Sequence, residues 1–131
     1  MLAILTLGAC AQRSANQAPA PPPPPPPSPP IGGVAQACAL TIVFGSYAMG
    51  IDGPTRTRVE ALLVVDRGVL GFDTRSWGRE GEVTLCVRTR SGADANRLFE
   101  VVRAMIPPRP RGLISLRTSG GLSYETPPLR R

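Results

Sequence analysis

The chain has 131 residues, 16 of them proline and gathered largely in one tract, which leaves room for one folded domain of about a hundred residues and excludes a second. All 15 basic residues are arginine, set against 9 acidic ones for a net charge of +6, and there is neither lysine nor histidine. Without histidine the commonest general base and metal ligand is missing, and the acidic residues stand singly, so no paired-carboxylate site and no metal site are expected.

Residues 1–9 form an apolar run that ends in Leu7-Gly8-Ala9-Cys10. This tetrapeptide resembles the lipobox of bacterial lipoprotein signal peptides, with cleavage before a lipidated Cys10. The run is short and lacks the basic residues with which such signals begin, so residues 1–9 are expected to be a signal peptide whose true start lies upstream. The resemblance implies export and a lipid anchor at Cys10. Because Ala11 rather than an aspartate follows the cysteine, it also implies the periplasmic face of the outer membrane, with the periplasm or the inner membrane as alternatives. Residues 10–30 then read as the lipidated cysteine and a spacer. Pro21–Pro27 are consecutive prolines that can neither enter a helix interior nor donate to a sheet. Polyproline II at ~3.1 Å per residue gives the spacer a reach of roughly 35 to 40 Å.

The pattern changes at Ile31, and residues 31–126 read as a globular domain followed by a disordered tail over 127–131. A first strand is expected over Cys38–Gly45, with Leu40, Ile42 and Phe44 facing inward. Gly53 and Pro54 start a helix, with Asp52 nearby to favour its N-terminal dipole; Val59, Leu62 and Leu63 share one side, and Gly68 ends it. Short strands follow at Val69–Asp73 and Glu82–Thr89, joined as a hairpin by a loop over Arg75–Gly81. Ser91 and Asp94 open a second helix, striped by Ala95, Leu98, Phe99, Val102, Met105 and Ile106 and stopped by Pro107 and Pro108. Leu113–Thr118 is the last expected strand.

This βαββαβ order resembles the ferredoxin-like sandwich, an α+β fold in which two helices cover one face of a four-stranded antiparallel sheet. The alternative is an OmpA-like α/β domain, though that family places a helix where this sequence has a hairpin. The ferredoxin-like resemblance implies that Tyr47, Arg75, Trp77, Arg79, Arg109 and Arg111 gather at one end of the sheet, with Met49, Asp52 and Glu80. An indole among arginines can stack on a sugar ring or on a guanidinium plane, so a glycan or anionic ligand is expected there. The outward positions Thr41, Val43, Thr84, Cys86 and Arg88 give no aromatic platform for stacking bases, and nucleic acid is not an expected partner.

The stretch Gly45–Gly53 has no Lys-Ser or Lys-Thr ending and is not a P-loop. No enzyme activity and no cofactor are expected. With Cys10 assigned to lipid, Cys38 and Cys86 form an even pair in an oxidising compartment, and a disulfide between them is expected. Cys38 has the inward parity of Leu40 and Cys86 the outward parity of Thr84, so the bridge requires either that Cys38 precede the regular strand or that a bulge intervene. The expected function is that of a lipid-anchored, non-catalytic binding or accessory module. Its partners would be the membrane through the anchor and a glycan, anionic lipid or envelope protein. The alternative is a structural subunit of an envelope assembly.

Overall fold

The computed structural model describes residues 20–22 and 37–128. The chain divides into two units, Met1–Gly32 and Gly33–Arg131. Of the first, residues 20–22 are exposed and without regular structure. The expected signal peptide, the lipidation site at Cys10, the rest of the spacer and residues 129–131 lie outside the described residues.

The second unit runs β1 (Leu40–Gly45), α1 (Gly53–Val65), β2 (Val69–Trp77), β3 (Glu82–Thr89), α2 (Gly92–Met105), β4 (Leu113–Thr118) and β5 (Ser123–Glu125). Its described residues form an α+β domain of two helices and one antiparallel sheet in the order β2-β3-β1-β4-β5. The expectation of four strands is corrected to five. After β4 the chain turns at Gly121, which has a φ of 100°, and Thr118 closes the turn by donating its N–H to the Leu122 carbonyl at 2.9 Å and accepting the Leu122 N–H on its hydroxyl at 3.0 Å. The returning Ser123–Glu125 then pairs with β4, and the buried Thr126 hydroxyl accepts the Ile114 N–H at 2.9 Å.

Strand alternation decides the core. Leu40, Ile42 and Phe44 of β1, Val83, Leu85 and Val87 of β3, and Ile114 and Leu116 of β4 are buried on one face. Val59 and Leu63 of α1 and Leu98, Phe99 and Val102 of α2 complete that cluster. Ser91 caps α2, its hydroxyl accepting the Asp94 N–H at 3.1 Å, and Asp52 caps α1, accepting the Thr55 N–H at 3.0 Å.

The other face of the sheet carries rows fixed by register. Across all five strands these run Asp73, Cys86, Thr41, Arg117, Ser123 and, one step along, Arg75, Thr84, Val43, Ser115, Glu125. A second correction concerns the hairpin. β2 continues to Trp77, so Arg75 and Trp77 are strand residues and the turn spans only 78–81, with Gly78 and Gly81 at φ 72° and 85°. The exposed β2 lacks the apolar alternation that marks a half-buried strand, and its length comes from pairing with β3 as far as Trp77↔Glu82.

Cys38 and Cys86 lie at disulfide distance, their Cα atoms 5.0 Å apart. Cys86 pairs with Thr41, and a straight strand would carry Cys38 about 10 Å away from that partner. The chain bends at Ala39, before β1 begins, and this brings Cys38 over the outer face. Of the two ways to reconcile the parities, the structure takes the first.

Candidate functional site

The end of the sheet where β1 finishes, the hairpin turns and β4 begins is organised around two polar side chains. The Ser46 hydroxyl accepts the backbone N–H groups of Ala48, Met49 and Gly50 at 3.0, 3.2 and 3.0 Å, and donates to the Glu80 carboxylate in the hairpin turn. This coils residues 46–50 tightly, with Ala48 and Gly50 at positive φ, and ties the loop to the hairpin. Asp52 accepts the Arg111 N–H at 3.0 Å on the oxygen that does not cap α1, and so fixes the approach to β4. Burial pushes the Asp52 carboxyl up. The N–H groups of Arg111 and Thr55, the Thr55 hydroxyl and the nearby Arg58 charge outweigh it and hold the group below its ordinary value.

Gly112 joins these pieces. Its φ is 129°, and a Cβ there would sit 2.4 Å from the Gly45 carbonyl oxygen and 3.3 Å from that of Gly50. Only glycine allows this approach. The result is a pocket of about 150 Å³ lined by Tyr47, Met49, Gly50, Arg111 and Gly112. A cavity of that size holds a benzene-sized molecule. Apolar surface from Tyr47 and Met49 forms its walls, with the exposed Arg111 beside them.

Of the residues expected to gather here, the pocket unites Tyr47, Met49 and Arg111, with Asp52 holding the Arg111 backbone and Glu80 holding Ser46. Arg79 in the hairpin turn and Arg109 before β4 are exposed and do not line it. Arg75 and Trp77 belong to the outer face of β2, opposite Thr84 and Glu82. The Trp77 indole N–H donates to the Thr84 hydroxyl at 3.1 Å, so the ring leans over β3. The sequence reading missed Ser46 and Gly112. A serine directly after a strand and before a glycine-containing loop is a recognisable local capping signal, whereas nothing in the sequence announces the contact of Gly112 with Gly45.

A second concavity of about 260 Å³ lies on the outer face, lined by Thr41, Val43, Ser115 and Arg117. Ser115 and Arg117 could have been placed there by parity, since Ile114 and Leu116 face the core. Among the described residues no group of histidine, cysteine and carboxylate side chains is placed to hold a metal ion, and no helix is long and apolar enough to cross a membrane. No protein-family model, curated protein or solved structure matches the chain.

Proposed function

We propose that the chain is an exported envelope protein, lipidated at Cys10 on the periplasmic face of the outer membrane, whose globular domain is a non-catalytic module that binds a glycan or anionic group. β1 to β4 and the two helices follow a ferredoxin-like arrangement, extended at the β4 edge by β5. The observation that carries the binding role is the Tyr47–Arg111 pocket. The pocket surface is almost wholly apolar, an aromatic ring and a thioether offering a face for a sugar ring or acyl group, and the exposed Arg111 that borders it carries paired N–H donors suited to a phosphate or carboxylate. The excess of arginine raises the local concentration of anionic envelope components around the domain.

Co-sedimentation of the purified chain with peptidoglycan and with lipopolysaccharide-containing vesicles tests this reading, with Tyr47→Ala and Arg111→Ala alongside. Because the Arg111 backbone N–H supports Asp52, the alanine variant removes the guanidinium and leaves that support in place. Affinity for one of the two materials is expected to fall about tenfold or more in each variant, the loss of a charged hydrogen bond or a stacked ring. Equal binding by all three proteins overturns the site.

A second reading, a structural subunit of an envelope assembly, is favoured by the outer-face concavity at Thr41, Val43, Ser115 and Arg117. Antiparallel sheets with helices on one face leave the other for solvent or for a partner. Val43→Glu separates the readings: loss of an assembly with ligand binding intact supports the subunit role.

A further inference from the structure

β2 is the long edge of the sheet. One side pairs with β3 from Val69↔Thr89 to Trp77↔Glu82, and among the described residues no strand pairs with the other. Its register is regular from Gly71 to Trp77, the one irregularity falling between Val69 and Gly71, and residues 73–77 are exposed. A regular, exposed edge of this length presents a row of N–H and C=O groups that template another strand. The opposite edge, β5, has only three residues and offers no comparable template.

Charged side chains protect an edge from self-pairing where like charges would face each other across the new ladder. This one carries Asp73 and Arg75 on either side of Thr74. We infer that β2 pairs antiparallel with β2 of a second copy, about a two-fold axis at Thr74, joining the two sheets into one. In that register Thr74 faces its own counterpart, Asp73 faces the partner's Arg75, and Arg75 faces the partner's Asp73. Trp77 faces the partner's Gly71, which has no side chain to oppose it. Gly71, Asp73, Arg75 and Trp77 all lie on the outer face, because their β3 partners Arg88, Cys86, Thr84 and Glu82 do. The two charge pairs therefore form side by side.

Charge selects this register over its neighbours. Moving the axis to Asp73 sets the two aspartates against each other, and moving it to Arg75 does the same to the arginines, and like charges directly opposed are unfavourable. Asp73 already pairs with Arg88, yet its side chain remains 72% exposed and has room for a second guanidinium. Leu70 in β2 and Val64 and Val65 at the end of α1 are apolar and exposed, at 65%, 74% and 75%. The contact uses the same surface on both copies and closes after two, so it does not propagate into a filament.

The test is the mass of the full chain, purified in detergent micelles, across a dilution series. Wild type is expected to pass from one copy to two as concentration rises. Arg75→Asp alone and Asp73→Arg alone should each weaken association by about tenfold or more, because both facing pairs become like-charged. An equimolar mixture of the two variants should recover a one-to-one complex, one chain then being doubly acidic and the other doubly basic at facing positions. Thr74→Cys gives a reading that does not depend on either charge variant folding. A short bis-maleimide should join two copies through it, well above the level in the wild-type chain. A wild type that stays single at all concentrations, charge variants that associate as wild type does, a mixture that stays apart, or no added crosslink at Thr74→Cys each overturns the inference.

Discussion

On the helix side of the sheet Leu40, Ile42, Phe44 and Leu85 are fully buried. One residue along the same strands, Thr41, Val43, Thr84 and Cys86 are half-covered, and Asp73, Arg75 and Arg117 in the flanking strands are open to water. The same backbone thus supports two surfaces with different work. The inner face draws its stability from removing apolar area from water, at about 25 cal/mol per Å², and is indifferent to what lies outside the domain. The outer face and the sheet's exposed end gain little from burial, so their charged and aromatic side chains are free to meet something else. Stability and contact are therefore separable by mutation.

The largest expected effect on stability is on the inner face. Leu85→Ala, at a fully buried central position, should cost about 2 to 5 kcal/mol and lower the melting temperature by about 10 °C or more, measured by thermal or urea unfolding. A loss below about 1 kcal/mol would erase the contrast between the faces. Next comes the residue that ties the pocket end to the core. Asp52→Ala removes the α1 cap and the acceptor for the Arg111 N–H, and should cost about 1 to 3 kcal/mol. Asp52→Asn sharpens this with pH. The folded carboxyl sits below its ordinary value of 3.8, so its contribution is complete above that value and is lost as pH falls through the lower, folded one. Wild type should lose stability below about pH 4 more steeply than the asparagine variant, and parallel curves would deny Asp52 that role. The smallest effect belongs to the water-exposed side chains of the outer face, where Arg117→Ala should change unfolding free energy by no more than about 0.5 kcal/mol.

How much of this was legible in the sequence follows the same division. The inner face was readable because burial imposes a period: two in Leu40, Ile42, Phe44 and in Val83, Leu85, Val87, and the helical repeat in Leu98, Phe99 and Val102. The cap at Ser91 was readable because a short polar side chain ahead of a helix has a local hydrogen bond to make, whereas Asp52 was legible only as a charge near the start of α1 and its cap came from the structure. β5 was not, since three residues are too few to show alternation and its place depends on the turn at Gly121 and on Thr126. The length of β2 was hidden for a related reason. Asp73–Trp77 is wet on both sides, so the strand is held by pairing with β3 and its two glycines at 78 and 81 drew the expected loop too wide. At the candidate site, Tyr47 and Arg111 came together because each belongs to a loop at the end of the sheet. Arg75 and Trp77 did not, because strand parity turns them onto the outer face.

The Cys38–Cys86 pair links the two surfaces, since it is built on the outer face by a bend at Ala39 and depends on the register that buries the inner one. A bridge across a sequence separation of 48 contributes roughly 4 kcal/mol by loop-closure reasoning, a large part of the ~5 to 15 kcal/mol that holds a typical domain. It also reports on the compartment, because such bonds persist where the surroundings are oxidising. The decisive measurement is the thiol state of these two cysteines in chain recovered from cells with free thiols blocked at lysis and unfolded without reductant, followed by melting before and after reduction. No reactive thiol is expected at Cys38 or Cys86, and a clearly lower melting temperature is expected once the pair is reduced. Two titratable thiols at these positions would contradict the bridge.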